Sequence, residues 1–395
     1  MPSSLNRRRI ETAIAALVAI AAGIVGIATR EASRSLGPKF IKVDRLARLK
    51  EPVYLTQPPG PGSQLYVVQR QGTVRVLAPD RLLPRPFLKI SDLVKQSGGG
   101  ADGGMTSIAF PPDYARSGQF YVAYTDHGDR LVVARYSRSA ANPLVADRAS
   151  GQTVLTVPES RPERHGGFIT FGPDGYLYIG TGDGSPPGDP REVAQDPAQL
   201  RGKILRINPA IPGSAEIWAS GLGDPRRISF DRASHSMAIA DVGDQRYEEI
   251  EYLPIDKARG ANFGWPAYDG FVVLRGGLPR KQATFPAIAF PRRRGCAVIG
   301  GYLVRDPRLT RIRGRELNGS YLYGVRCSGK LFAFRPRPGR RAGKLRSFRF
   351  RFRNLTSLGV DNSGRVYVLT LKGPHRHGKP TLGSVFRLVP VRQEL

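Results

Sequence analysis

The chain predicts an all-β fold, a six-bladed β-propeller, preceded by an N-terminal hydrophobic segment. Three observations carry this. A unit of two or three β-rich runs around a tight turn recurs six times between residues 52 and 390. No segment after Thr29 sustains helical periodicity. The 46 glycines and 33 prolines suit a turn-rich chain, and a hydrophobic content of 40% supplies a core. Stacked blades bury their sheet faces on one another and leave few edges exposed.

Residues 1–30 read as a targeting segment. Arg7, Arg8 and Arg9 precede an apolar run from Ala13 to Ala28, the pattern of an export signal or a signal-anchor helix. The basic flank keeps the N-terminus cytoplasmic and sends the remainder across. The run is short for a span, and Gly26 with Ala28 offers a small-residue cleavage site, so membrane anchor and cleaved peptide stay open. Either way the body is expected to be extracytoplasmic. Residues 31–50 read as a basic linker and residues 51–391 as the propeller.

The blades follow in order. The first copy runs over residues 52–78 and the second over 105–137. The third, 166–209, is the most informative. Phe168 to Phe171 alternate, Gly172-Pro173-Asp174-Gly175 forms a turn, and Tyr176 to Gly180 form a second run. A long Gly/Pro/Asp loop then leads to a third strand, Lys203 to Ile207. The fourth copy covers 227–254, the fifth 298–336 and the last 356–390. Residues 260–294 form an excursion between blades four and five, on a face where sites are usually assembled. The run Phe348-Arg349-Phe350-Arg351-Phe352-Arg353 reads as a solvated outer strand with one apolar and one basic face.

A formal net charge of +29 favours anionic partners: lipid headgroups, acidic polysaccharide or, without specificity, nucleic acid. The arginines are scattered through the chain, as when arginine is the default surface residue. No nucleic-acid-binding module is present, which excludes specific recognition of that kind. Cys296 and Cys327 lie in the exported part and fit no zinc spacing; a disulfide and two buried thiols are both open.

The stretch FGPDGYLYIGTGDG, followed by AQD and RGKILRINP, closely resembles the glucose/sorbosone dehydrogenase family. The likeness extends to ADGGMTSIAFPPDYARSGQFYVAYT, ADVGDQRYEEI, GANFGWP, GCAVIGGYLVRD and LNGSYLYGVRCSG, so it covers nearly the whole body. It implies a six-bladed, calcium- and pyrroloquinoline-quinone-dependent (PQQ-dependent) aldose dehydrogenase. In that chemistry a base, usually His, takes the proton of the anomeric hydroxyl while hydride passes to the quinone. An electron acceptor completes the cycle.

Carried over residue by residue, the resemblance implies Asp183 as the acid that orients the base and Asp102 as a second pocket acid. The base position itself departs. Family members read H-N-G-G where this chain has Arg164-His165-Gly166-Gly167, so Arg164 holds the slot and His165 lies one residue late. A local loop shift would make His165 the base with Asp183 as its partner, and leave Arg164 beside the cofactor. The family's G-L-R-N-P turn reads Gly221-Leu222-Gly223-Asp224-Pro225, without its quinone-binding arginine. Asp224, Arg226 and Trp265 remain as cofactor-binding candidates, and Asp241, Gly243 and Asp244 as calcium ligands. A third departure puts Phe290 and Arg292 where the family often has Tyr-x-His. The resemblance also implies that the two cysteines pair. The expected functions are therefore aldose oxidation or, with that chemistry lost, binding of a saccharide or another extracytoplasmic ligand. Metal-dependent lactonases share the architecture but not these motifs.

Overall fold

The computed structural model describes residues 41–391 apart from 80, 97–102, 159–160, 162, 212, 295, 310–316 and 374–380. Six four-stranded antiparallel sheets make up the body. Their inner strands are Pro52–Thr56, Met105–Ala109, Gly166–Phe171, Pro225–Asp231, Val298–Leu303 and Leu355–Val360. Each packs against the next and the last against the first, which closes the ring. The candidate segment 1–30 lies outside the described residues. Among the described residues no helix is long and apolar enough to cross a membrane.

The expected linker needs correction at its C-terminal half. Ile41–Lys50 is the outermost strand of blade six, pairing with Leu382–Pro390 from Ile41↔Pro390 to Lys50↔Leu382. Its sequence, IKVDRLARLK, is half exposed and weakly alternating, so its own pattern does not announce a strand. The partner that defines it stands at the far end of the chain. The excursion at 260–294 also shrinks. It holds a small hairpin, Tyr268–Asp269 with Val272–Val273, and then Ile288–Pro291, the outer strand of blade four. The Phe/Arg run falls where expected: Leu345–Arg351 is the outer strand of blade five, with Phe348 buried and Arg349 exposed.

One irregularity repeats. In five blades the ladder between the inner strand and its neighbour skips the second residue of the inner strand: Val53, Thr106, Gly167, Arg226 and Thr356. A bulge leaves the extra residue unpaired and re-aims its side chain. All five skipped residues line the central channel, a cavity of ≈ 90 Å³. Just inside it Arg227 is half-buried with its guanidinium 4.7 Å from the Phe168 ring centroid and 5.2 Å from that of Tyr54. It donates to the Val53 carbonyl at 2.9 Å and the Ser357 hydroxyl at 2.7 Å. Arg227 therefore ties blade four to blades one and six and is a structural plug.

Candidate functional site

The starts of the inner strands open onto one face, where a cleft of ≈ 550 Å³ lies beside the channel. Its size suits a small-molecule site. Arg161, Arg164, Arg226, Arg292 and Arg326 line it, against the carboxylates of Glu163, Asp224 and Asp244. Arg226 and Arg326 border both cavities.

Arg164 is built into this cleft by backbone geometry. It adopts φ 64°, and Gly166 and Gly167 follow at 63° and 81°. An arginine in the left-handed region is held there by its surroundings. A Cβ on Gly182 would stand 1.7 Å from the Arg164 carbonyl, so only glycine fits the facing turn. Thus pinned, Arg164 donates from Nε to Asp183 Oδ1 at 2.8 Å and from Nη2 to Oδ2 at 3.0 Å. The Trp265 indole N–H also donates to Asp183 Oδ2, at 2.8 Å. Burial works against both charges. It lowers the Arg164 guanidinium, but the carboxylates of Asp183, Asp224 and Asp244 outweigh it and hold the group above its ordinary value. Burial leaves Asp183 raised although Arg164 pulls it down. The fork-to-fork geometry decides for an ionised pair.

Several sequence expectations need correction here. His165 does not pair with Asp183. The left-handed turn at Arg164 sends the next side chain to the channel. There His165 is 2% exposed, with Nδ1 3.3 Å from the Thr125 hydroxyl and Nε2 on the Arg161 carbonyl. Both nitrogens are engaged, and His165 lines the channel. Asp102 lies outside the described residues. Asp224 lines the cleft, but both its oxygens are occupied: Oδ1 by the Gly166 N–H at 3.0 Å and Oδ2 by Arg226 Nε at 2.7 Å. Trp265 faces Asp183 as a positioning group, with Arg164 5.7 Å from its ring centroid.

The calcium set of Asp241, Gly243 and Asp244 also fails. Asp241 is buried, and its oxygens accept the Gly223 and Asp224 N–H groups, the former at 2.7 Å. Burial, opposed by those bonds, pushes its carboxyl up to about 7. Asp244 Oδ2 accepts the Gly188 N–H at 2.6 Å. The carbonyls of Gly243 and Asp244 accept from Arg292 Nη1, the latter at 2.9 Å. Among the described residues no group of three His, Cys, Asp or Glu is arranged to hold a metal ion.

Cys296 and Cys327 form a disulfide with Cα atoms 5.3 Å apart, on the wall of the cleft. Arg161, Arg292 and Arg326 were not singled out as site residues from sequence. Arg326 has a signal, standing beside Cys327; Arg292 shows only as a departure from the family pattern.

The glucose/sorbosone dehydrogenase family model matches residues 49–271. Mouse Hedgehog-interacting protein is 28% identical over 371 residues, covering 82% of this chain and 49% of that protein. Aldose sugar dehydrogenase YliI of Escherichia coli is 26% identical over 233 residues, covering 53% of this chain and 59% of that one. The chain spans half or less of the Hedgehog-interacting proteins it matches. Among solved structures, the PQQ-bound aldose sugar dehydrogenase of Streptomyces coelicolor superposes with a TM-score of 0.67 at 21% identity, covering 89% of this chain and 99% of that one. The apo form of the soluble Escherichia coli enzyme gives 0.67 at 20%, covering 89% and 100%. At these identities the structural likeness speaks for the fold.

Proposed function

Because the chain belongs to the glucose/sorbosone dehydrogenase family, we propose that its cleft is that family's ligand site, kept for binding an anionic ligand and no longer equipped for aldose oxidation. The observation that carries this is the bidentate Arg164–Asp183 pair. The position that the family motif gives to a base holds a permanent cation, and the acid that would orient a base is consumed by it. A guanidinium does not accept a proton at physiological pH. His165, the one local imidazole, has both nitrogens engaged elsewhere.

The cationic lining supports an acidic saccharide or another small carboxylate as ligand. Arg226 and Arg326 line the cleft on the side a ligand carboxylate would meet, and Arg292 adds its charge from the 243–244 turn that holds it. The same residues suit the carboxylates of PQQ, which would supply a two-electron acceptor when bound. The described carboxylates of the cleft are already engaged, Glu163 with Arg161, Asp224 with the Gly166 N–H and Arg226, and Asp244 with the Gly188 N–H. The Hedgehog-interacting relatives favour reading the propeller as a binding module, by name only. An extracytoplasmic setting is part of the proposal. It rests on the reading of residues 1–30 and is supported by the disulfide, a bond of oxidising compartments.

The test is calorimetric titration of the protein with glucuronate, glucose and PQQ, alongside dye reduction over a panel of aldoses. The expected result is binding of glucuronate and PQQ, weak or no binding of glucose, and no turnover. Aldose-dependent dye reduction by the quinone-loaded protein would overturn the proposal.

A further inference from the structure

The turn that was expected to hold calcium is a cation site with its cation already in place. It begins with register. Ile288–Pro291 pairs with blade four so that Pro291 stands opposite Tyr247. The next backbone N–H, that of Arg292, donates to the Arg246 carbonyl at 2.9 Å. This fixes the Arg292 Cα over the 241–244 turn.

The turn is equally constrained. A Cβ on Gly243 would stand 1.5 Å from the Tyr247 carbonyl, so glycine alone fits. Glu248, 0% exposed, holds the turn from beneath: Oε2 accepts the Gly243 N–H at 3.2 Å and the Val298 N–H at 2.9 Å, and Oε1 accepts the Ala297 N–H at 2.9 Å. Two carbonyls, Gly243 and Asp244, and one buried carboxylate therefore converge. Hard oxygens of this kind attract calcium, which needs six to eight such ligands. Here Arg292 fills the place. Its Nη1 bonds both carbonyls, and its Nε lies 3.4 Å from Glu248 Oε1. A carboxylate this deep needs a countercharge, and the guanidinium supplies one.

We infer that Arg292 is a built-in replacement for a bound metal ion, so that this cleft keeps its cationic character and its turn geometry without calcium. The inference rests on the reading of this cleft as the ligand site. It predicts a metal-independent protein that one substitution makes metal-responsive. In Arg292→Ala the two carbonyls and Glu248 lose their cation, and calcium with its waters regains a place for its ligands.

The experiment uses ligand-free, full-length protein and calcium chloride alone as the probe, with thermal unfolding and calorimetric titration as readouts. Wild type is expected to show the same Tm in chelator and in millimolar calcium, with no heat of binding. Arg292→Ala is expected to unfold lower in chelator and to rise by about 3–4 °C in saturating calcium. Calcium-dependent stabilisation of the wild type would overturn the inference, as would a folded Arg292→Ala protein that ignores calcium. If the alanine variant does not fold, Arg292→Gln is read by the same two outcomes. Neither readout involves sugar or quinone, so aldose turnover by the wild type would overturn the proposed function and leave this inference standing.

Discussion

The Arg164 guanidinium occupies the space that a side chain on Gly223 would need: Nη2 lies 2.5 Å from where a Cβ on Gly223 would stand. The family motif has its arginine at that turn position and its base at the position of Arg164. On the proposed reading, one arginine reaching across from the other loop stands in for both, placing a positive charge beside Gly223 and no imidazole at the Arg164 position. The Gly223 carbonyl accepts the Asp183 N–H at 2.8 Å, so the two loops are also joined through backbone.

Reversing the exchange is the sharpest test of that relationship. Arg164→His with Gly223→Arg restores both side chains at the positions the family motif gives them, with Asp183 free to orient the imidazole. Quinone-dependent aldose oxidation is expected to appear, roughly 100-fold above the wild-type background, the scale of one positioned base. Steady-state dye reduction reads it. Gly223→Arg alone should bring no activity and should lower Tm, because its side chain collides with a guanidinium already held by Asp183.

A second prediction concerns the buried acids beneath the turn. Asp241 pairs in register with Glu249, and Glu251 shares that face. The Glu251 carboxyl lies buried beside that of Glu249. Burial first, then the charges of Glu249 and Asp241, hold its carboxyl well above the ordinary range. Glu249 is raised by burial and by Asp241 in the same way. The folded protein thus keeps protons that the unfolded chain releases above about pH 4. The stability this contributes is fully present below that pH and is lost as pH rises through the raised folded values, such as the Asp241 value of about 7. Glu251→Gln removes one titrating member. Its Tm should exceed wild type by about 1–3 °C near pH 8 and match it near pH 4. Equal Tm profiles across that range would contradict this.

A third prediction concerns the disulfide. Cys296 and Cys327 are 31 residues apart, and closing that loop contributes roughly 3–4 kcal/mol on chain-entropy grounds. Cys296→Ser should lower stability by about that much in denaturant titration. The cysteines also form part of the cleft wall, with Arg326 adjacent in sequence. Reduction should therefore weaken glucuronate binding at temperatures where the protein is still folded.

The blades were legible because each repeats the same run–turn–run unit, and the inner three strands of a blade are its most apolar. What escaped were outer strands without such a pattern: Ile41–Lys50 and Glu216–Ala219 are short or half exposed, and each is defined by the strand it pairs with. In the site, the family resemblance assigned Arg164, Asp183, Trp265 and Asp224 to one pocket, and the structure brings them together. Their roles were not legible, because they hang on one backbone angle at Arg164 and on which way the chain turns after it. The function of Arg292 was hidden for a different reason. It meets a turn 48 and 49 residues away, and only the register of blade four brings the two together.

The repeated bulge has a consequence for how such a ring can change. Val53, Thr106, Gly167, Arg226 and Thr356 each stand outside the ladder that holds their blade together. A substitution there alters what the channel mouth presents while every paired residue keeps its neighbour. At Thr106 and Thr356 the side chain also bonds the neighbouring blade, through the Gly167 and Pro52 carbonyls. Changes at the mouth are therefore cheapest where the side chain is not part of such a tie.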